Sequence, residues 1–259
     1  MLIAIPSKAR STRQVTLSNL PKSIRDNVHL VVDAKEGHSY DLCDQPTILC
    51  APGIGHARQA AVDYCVKMGE NKLFMLDDDL TFALRRTDKP ELFTTPTDFD
   101  IVNCFEEVQN LLDDSHHVAI APREGGNRRT DNFVYNNRAL RALAYRVDTL
   151  QKEGIRFDDA ELMEDFTVQL RLLLKGYPHC SINWMVQNQG GSNTTGGCST
   201  YRTMESQAKA AHALKERFPD FVTLTQKKTK TAWGGQERTD VIIQWKKAYE
   251  WGSAHAGKS

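Results

Sequence analysis

The stretch Lys72-Leu73-Phe74-Met75-Leu76-Asp77-Asp78-Asp79-Leu80 sets three adjacent carboxylates at the end of a short apolar run. An apolar run bounded by charge reads as a buried strand, and unpaired carboxylates buried beside it cost several kcal/mol each. The triplet therefore calls for a cation. A hard divalent ion, Mn²⁺ or Mg²⁺, suits these oxygen ligands, because it binds one or two carboxylates and completes its shell with substrate phosphates. In an extended backbone Asp77 and Asp79 point to one side and Asp78 to the other. Asp77 and Asp79 are then the candidate metal ligands, and Asp78 faces another part of the ligand. A solvated acidic strand end or a helix N-cap is the competing account of the same residues.

Working outward, residues 2–6 read as a strand that empties into the basic, hydroxyl-rich loop Ser7-Lys8-Ala9-Arg10-Ser11-Thr12. A second strand, 28–32, ends at Asp33. The turn Pro52-Gly53-Ile54-Gly55-His56-Ala57-Arg58-Gln59 leads into a helix expected over 57–67. Arg58 falls in its first turn, where a cation works against the helix dipole. This order of elements predicts an α/β fold with parallel crossovers, whose ligands sit outside the carboxyl ends of the strands. Neither GxxxxGK[ST] nor GxGxxG occurs, so a P-loop and a dinucleotide fingerprint are unsupported.

The 259 residues, 40% of them apolar, suffice for a real core at the upper edge of one domain. Six cysteines without a CxxC pair fit reduced thiols. No apolar run approaches the roughly 18 residues that span a bilayer, and residues 1–6 are too short for a signal peptide. A cytoplasmic protein without a membrane partner is the expectation. Formal charge is zero overall, yet residues 199–259 carry 11 Lys+Arg against 6 Asp+Glu, a net of +5 that leaves −5 for residues 1–198. A polyanionic partner is expected at the C-terminal part.

Farther along, 98–113 reads as a helix and 117–122 as a strand, emptying into Arg123-Glu124-Gly125-Gly126-Asn127-Arg128-Arg129. The acids Asp158, Asp159, Glu161, Glu164 and Asp165 precede a helix at 167–175. After a strand at 180–186 comes a loop, 187–199, rich in glycine and amides, whose backbone could cradle phosphate or close over a ligand. A helix is expected at 201–217, a strand at 241–247 and a frayed tail at 249–259. Lys227, Lys228, Lys230, Arg238, Lys246 and Lys247, with Trp233 among them, suit phosphate contact and base stacking. A solvated lysine cluster is the alternative.

The ordered set Ile5-Pro6-Ser7-Lys8-Ala9-Arg10, Gly53 to Gln59, and Phe74-Met75-Leu76-Asp77-Asp78-Asp79 resembles nucleotide-sugar glycosyltransferases of the GT-A type, in which the acidic motif is the DxD metal site. More narrowly, it is similar to the TET/JBP-associated glycosyltransferases, phage enzymes proposed to decorate hydroxymethylated bases in DNA. The resemblance covers roughly residues 2–247. It implies a single GT-A-like, Rossmann-like domain, with a mostly parallel mixed sheet flanked by helices over 1–198, and a basic C-terminal extension over 199–259. It further implies a nucleotide-sugar donor, probed first as a UDP-sugar, at Pro6, Ser7, Lys8, Arg10, Asp33, Gly55, Arg58, Gln59, Asp77 and Asp78. Arg123, Asn127, Arg128, Gly190 and Gly191 are assigned to the sugar and acceptor pocket. Glu164-Asp165 matches the family's ED element, with Asp165 as base in an inverting reaction and Glu164 second. The expected partner is hydroxymethylated DNA. A non-DNA acceptor, a catalytically silent nucleic-acid-binding module and a nucleotidyltransferase are the rival readings.

Overall fold

Successive side chains of a strand point to opposite faces, and the buried strands of this chain feed two separate cores in that way. The computed structural model describes residues 1–124, 130–189, 202–229 and 235–256. The elements are β1 (Leu2–Ser7), the one-turn helices α1 (Val15–Ser18) and α2 (Lys22–Arg25), β2 (Val28–Asp33), β3 (Thr47–Cys50), α3 (Ile54–Met68), β4 (Lys72–Leu76), β5 (Leu80–Arg85) and β6 (Phe93–Thr94). There follow α4 (Asp98–Asp114), β7 (His117–Pro122), β8 (Phe133–Tyr135), β9 (Ala142–Arg146), α5 (Val147–Lys152), α6 (Glu164–Leu174) and β10 (His179–Gln189). The chain closes with α7 (Met204–Arg217), β11 (Val222–Lys228), β12 (Glu237–Ile243) and α8 (Trp245–His255).

Among the described residues ten strands form one mixed sheet in the order β3-β2-β1-β4-β9-β7-β10-β5-β6, with β8 also paired to β10. β1 runs parallel to β2 and β4, and β2 parallel to β3. β9 is antiparallel to both β4 and β7, and β10 is parallel to β7. The carboxyl ends of β1, β2, β4, β7 and β10 therefore share one edge of the sheet with the amino end of β9. Ile3, Ile5, Phe74 and Leu76 pack on one face against α4 through Ile101, Phe105, Val108 and Leu112. Leu2, Ala4, Leu73 and Met75 pack on the other face against α3 and α6. The outer side of α6 is covered in turn by residues from α7, β11 and α8.

Local chemistry fixes the helix ends. Thr97 and Asp100 exchange the two bonds of a capping box at the start of α4, and α3 stops at Gly69, left-handed with φ 71°. The expected strand 241–247 divides, because β12 ends at Ile243 and α8 begins at Trp245. Residues 249–255, expected to fray, belong to α8. Their small residues are what docks them: a Cβ on Gly252 would collide with the backbone of Leu173 and Leu174, so the two helices meet at glycine. Among the described residues no helix is long and apolar enough to cross a membrane.

Candidate active site

The shared edge opens into a cleft of about 720 Å³, bounded by the loop after β1, the acidic turn after β4, the head of α6 and part of the β11–β12 hairpin. Ser7 donates to Asp78 Oδ2 at 2.9 Å, and its own oxygen accepts from the Gln14 amide at 2.9 Å. The Arg10 guanidinium bridges Asp78 and Asp79, the second at 3.0 Å. Gln189 Nε2 donates to Asp79 at 3.1 Å. Burial pushes the Asp78 carboxyl up to about 6, against the pull of Arg10 and the Ser7 bond. Burial also raises Asp77, with Arg58 pulling it back.

The triplet does not alternate as an extended strand would. β4 ends at Leu76, and Asp77 to Asp79 form a turn. Thr16 pins it, donating its N–H to the Asp78 carbonyl at 3.0 Å and accepting from the Leu80 N–H at 2.7 Å. In consequence Asp78 and Asp79 share one arginine, while Asp77 turns to Arg58 at 3.2 Å. Three non-glycine residues here hold left-handed backbone: Ala9 at φ 54°, Arg141 at φ 69° and Met163 at φ 58°. Such strain concentrates at functional sites. At Arg141 it aims the carbonyl at the Asp77 N–H, 2.8 Å away.

Of the residues expected from sequence, Pro6, Ser7, Lys8, Arg10, Asp33, Arg58, Asp77, Asp78, Asp79, Glu164 and Asp165 line this cleft, as do Lys227 and Arg238. The Lys35 N–H, 3.0 Å from Asp33, holds that carboxyl below its ordinary value. Glu164 and Asp165 form the first turn of α6. Glu164 is buried, and its Oε1 lies 3.1 Å from Arg58. Burial raises the Glu164 carboxyl despite that neighbour. Lys227 and Arg238 both pair with Asp240, at 3.3 and 2.6 Å.

Other expected residues lie elsewhere. Gly55 and Gln59 do not line the cleft: a Cβ on Gly55 would lie 2.8 Å from the carbonyls of Phe157 and Ala160, and Gln59 Oε1 accepts from the Phe157 N–H at 3.0 Å. Both are packing residues between α3 and the segment before α6. Arg123 is exposed, with its guanidinium 5.4 Å from the Phe93 ring. Lys228 and Lys246 are exposed outside the cleft, and Lys247 donates to the Asp220 carbonyl at 3.2 Å. Asn127, Arg128, Gly190, Gly191, Lys230 and Trp233 fall outside the described residues.

Among the described residues no three His, Cys, Asp or Glu side chains converge as a metal cage. The Asp79 Oδ1, however, is buried without a hydrogen-bond partner, which suits a cation that takes its remaining ligands from substrate phosphates. His179 is fully buried against His117 far down β10, away from this turn.

The sequence profile of the TET-associated glycosyltransferases matches residues 1–197. The chain belongs to this family. The beta-glucosyl-HMC-alpha-glucosyl-transferase of Enterobacteria phage T6 is 23% identical over 235 residues, covering 83% of this chain and 80% of the relative. Its counterpart from Enterobacteria phage T2 is 23% identical over 181 residues, covering 65% of this chain and 62% of the relative. Among solved structures, glucosyl-3-phosphoglycerate synthase from Mycobacterium tuberculosis, in complex with Mn²⁺, UDP and glucosyl-3-phosphoglycerate, aligns with a TM-score of 0.49 at 9% identity, over 93% of this chain and 86% of that one.

In this TET-associated glycosyltransferase the cleft also holds residues that the sequence did not single out, among them Asn137, Arg138, Arg141 and Arg202. Arg138 lies over the Phe166 ring at 5.0 Å, and Arg141 donates to Glu124 at 2.7 Å and Gln187 at 3.3 Å. The strand-end rule does not find them: β8 is antiparallel to β10, so its carboxyl end, where the Asn136 N–H donates to the His179 carbonyl at 2.9 Å, lies at the opposite edge of the sheet.

Proposed function

We propose that this chain moves a sugar from a nucleoside-diphosphate sugar, a UDP-sugar first among them, to a hydroxyl carried by hydroxymethylcytosine in DNA. The observation that carries this reading is the opposition, within one cleft, of the Arg10-bridged acidic turn and the Glu164-Asp165 pair heading α6. The names of the two phage relatives support the acceptor, with HMC read as hydroxymethylcytosine. Lys227 and Arg238 at the cleft support a polyanion as its carrier. On this reading residues 1–198 supply the donor site and the catalytic pair, and residues 199–259 help receive the DNA.

Lys8 and Arg10 bind the diphosphate, and Asp33 accepts a hydrogen bond from the nucleoside. Mn²⁺ or Mg²⁺, held by Asp79 and Asp77, would stabilise negative charge on the departing diphosphate. Asp165, half-buried at the cleft, takes the proton of the acceptor hydroxyl. That oxygen bonds to the anomeric carbon as the carbon–oxygen bond to the diphosphate breaks, and the diphosphate keeps the bonding electrons. This is the inverting course, in which general-base help contributes about 10²–10⁴-fold; a product that keeps the donor's anomeric configuration would take the base role away from Asp165.

The test is mass spectrometry of nucleosides after incubating the protein with Mn²⁺, a panel of sugar nucleotides and duplexes carrying either hydroxymethylcytosine or its glucosylated form. The relatives' names print a glucosylated acceptor, which is why both duplexes are included. Gain of one sugar on either duplex is the expected result. No gain on either, with every donor, removes the proposal.

A further inference from the structure

Three residues in the first turns of α3 engage the segment that leads into α6. Gly55 lies so close to the carbonyls of Phe157 and Ala160 that a Cβ would sit 2.8 Å from each. Gln59 accepts the Phe157 N–H at 3.0 Å. Between them Arg58 reaches Asp77 at 3.2 Å and Glu164 at 3.1 Å, with side-chain exposures of 6% for Arg58 and 4% for Glu164. Burial works against the charge of Arg58, but Glu164, Asp77 and Asp165 together raise its pKa. A cation so enclosed is costly unless its partners are held in place, and the planar guanidinium presents separate N–H groups to two carboxylates in a fixed geometry that a flexible ammonium stem does not impose.

We propose that Arg58 is a positioning residue that clamps Asp77, at the end of β4, to Glu164, at the head of α6. The inference rests on the reading of the cleft as a sugar-transfer site and deepens it. Asp77 belongs to the side where the diphosphate departs, and the Glu164-Asp165 turn to the side where the hydroxyl attacks. The clamp sets the separation of the two, and a misplacement of about 1 Å costs on the order of 10²-fold in rate. Asp77 keeps 28% of its side chain exposed while one oxygen is engaged by Arg58, so the clamp orients this carboxylate without closing it off.

The full chain, wild type and with Arg58→Gln, Arg58→Lys and Glu164→Gln, is compared in three measurements: kcat for transfer, Kd for UDP with Mn²⁺, and amide hydrogen exchange. Arg58→Gln is expected to lower kcat about 100-fold while UDP affinity stays within about threefold, the signature of lost positioning rather than lost donor binding. Arg58→Lys is expected to recover part of that loss, and adding Glu164→Gln to Arg58→Gln to cost little more, because the two act as one unit. Exchange at the head of α6 quickens while α4 is unchanged. UDP affinity falling in step with kcat would instead make Arg58 a donor contact and overturn the proposal, as would a folded Arg58→Gln with full kcat. If Arg58→Gln does not fold, Arg58→Lys and Glu164→Gln carry the same comparison. A wild-type chain that transfers no sugar sinks the proposed reaction, and the exchange data then decide the clamp alone: unchanged exchange at the head of α6 refutes it.

Discussion

Ala9 pays for its place between Lys8 and Arg10 with a φ of 54°. A Cβ in left-handed backbone costs about 1–2 kcal/mol, more than the roughly 0.5–1 kcal/mol by which glycine loosens the unfolded chain. Strain wins that comparison. Ala9→Gly is therefore expected to raise the urea unfolding free energy by about 0.5 kcal/mol. His117 and His179 are a second residue-scale feature. Both are buried with rings 4.4 Å apart, and neither ring nitrogen of His117 has a partner among the described residues. Burial holds His117 well below the ordinary histidine range and His179 at about 3. The folded state thus prefers both neutral, so their stabilising contribution is complete above about pH 6.5 and is lost as pH falls below it, for His179 toward about 3. In urea titrations at stepped pH the loss is expected to approach about 1.4 kcal/mol per unit for each group. His179→Gln is expected to flatten that slope; an unchanged slope would refute the assignment.

Elements differ in how plainly their sequences announce them. β1, β2, β4 and β7 are short runs of buried aliphatics ended by charge or proline, and α3 and α4 repeat apolar residues at helical spacing, so pattern alone finds them. β9 escapes notice because Ala142-Leu143-Ala144-Tyr145 alternates size rather than polarity, all four being buried. α8 docks through Ala248 and Gly252 beside Trp245 and Tyr249, and its C-terminal half reads as a tail because the value of a residue such as Gly252 lies in how near another helix can come. The cleft divides likewise: the loop after β1 and the acidic turn are contiguous and legible, whereas Asn137, Arg141, Gln189 and Arg202, far apart in sequence, meet there only through the tertiary fold. Gly55 was legible as special, but its reason is helix packing rather than a ligand. Gly55→Ala is expected to destabilise by about 1–3 kcal/mol, measured by urea unfolding, through collision with the Phe157 and Ala160 carbonyls.

For the molecule as a whole, the uneven charge makes a quantitative expectation. Lys228 and Lys246 are exposed outside the cleft, and each neutralises a phosphate if a bound duplex reaches both. Replacing both with Gln is expected to reduce the slope of log affinity against log salt by about 2, without changing sequence preference; an unchanged slope would place the duplex elsewhere. The Arg10 bridge has a consequence for handling the protein. All three aspartates already own a counter-cation within the polypeptide, so treatment with EDTA is not expected to unfold it, unlike folds whose architecture is the metal. Its melting temperature is expected to stay within about 2 °C after dialysis against chelator. A stock stored that way is expected to keep its fold.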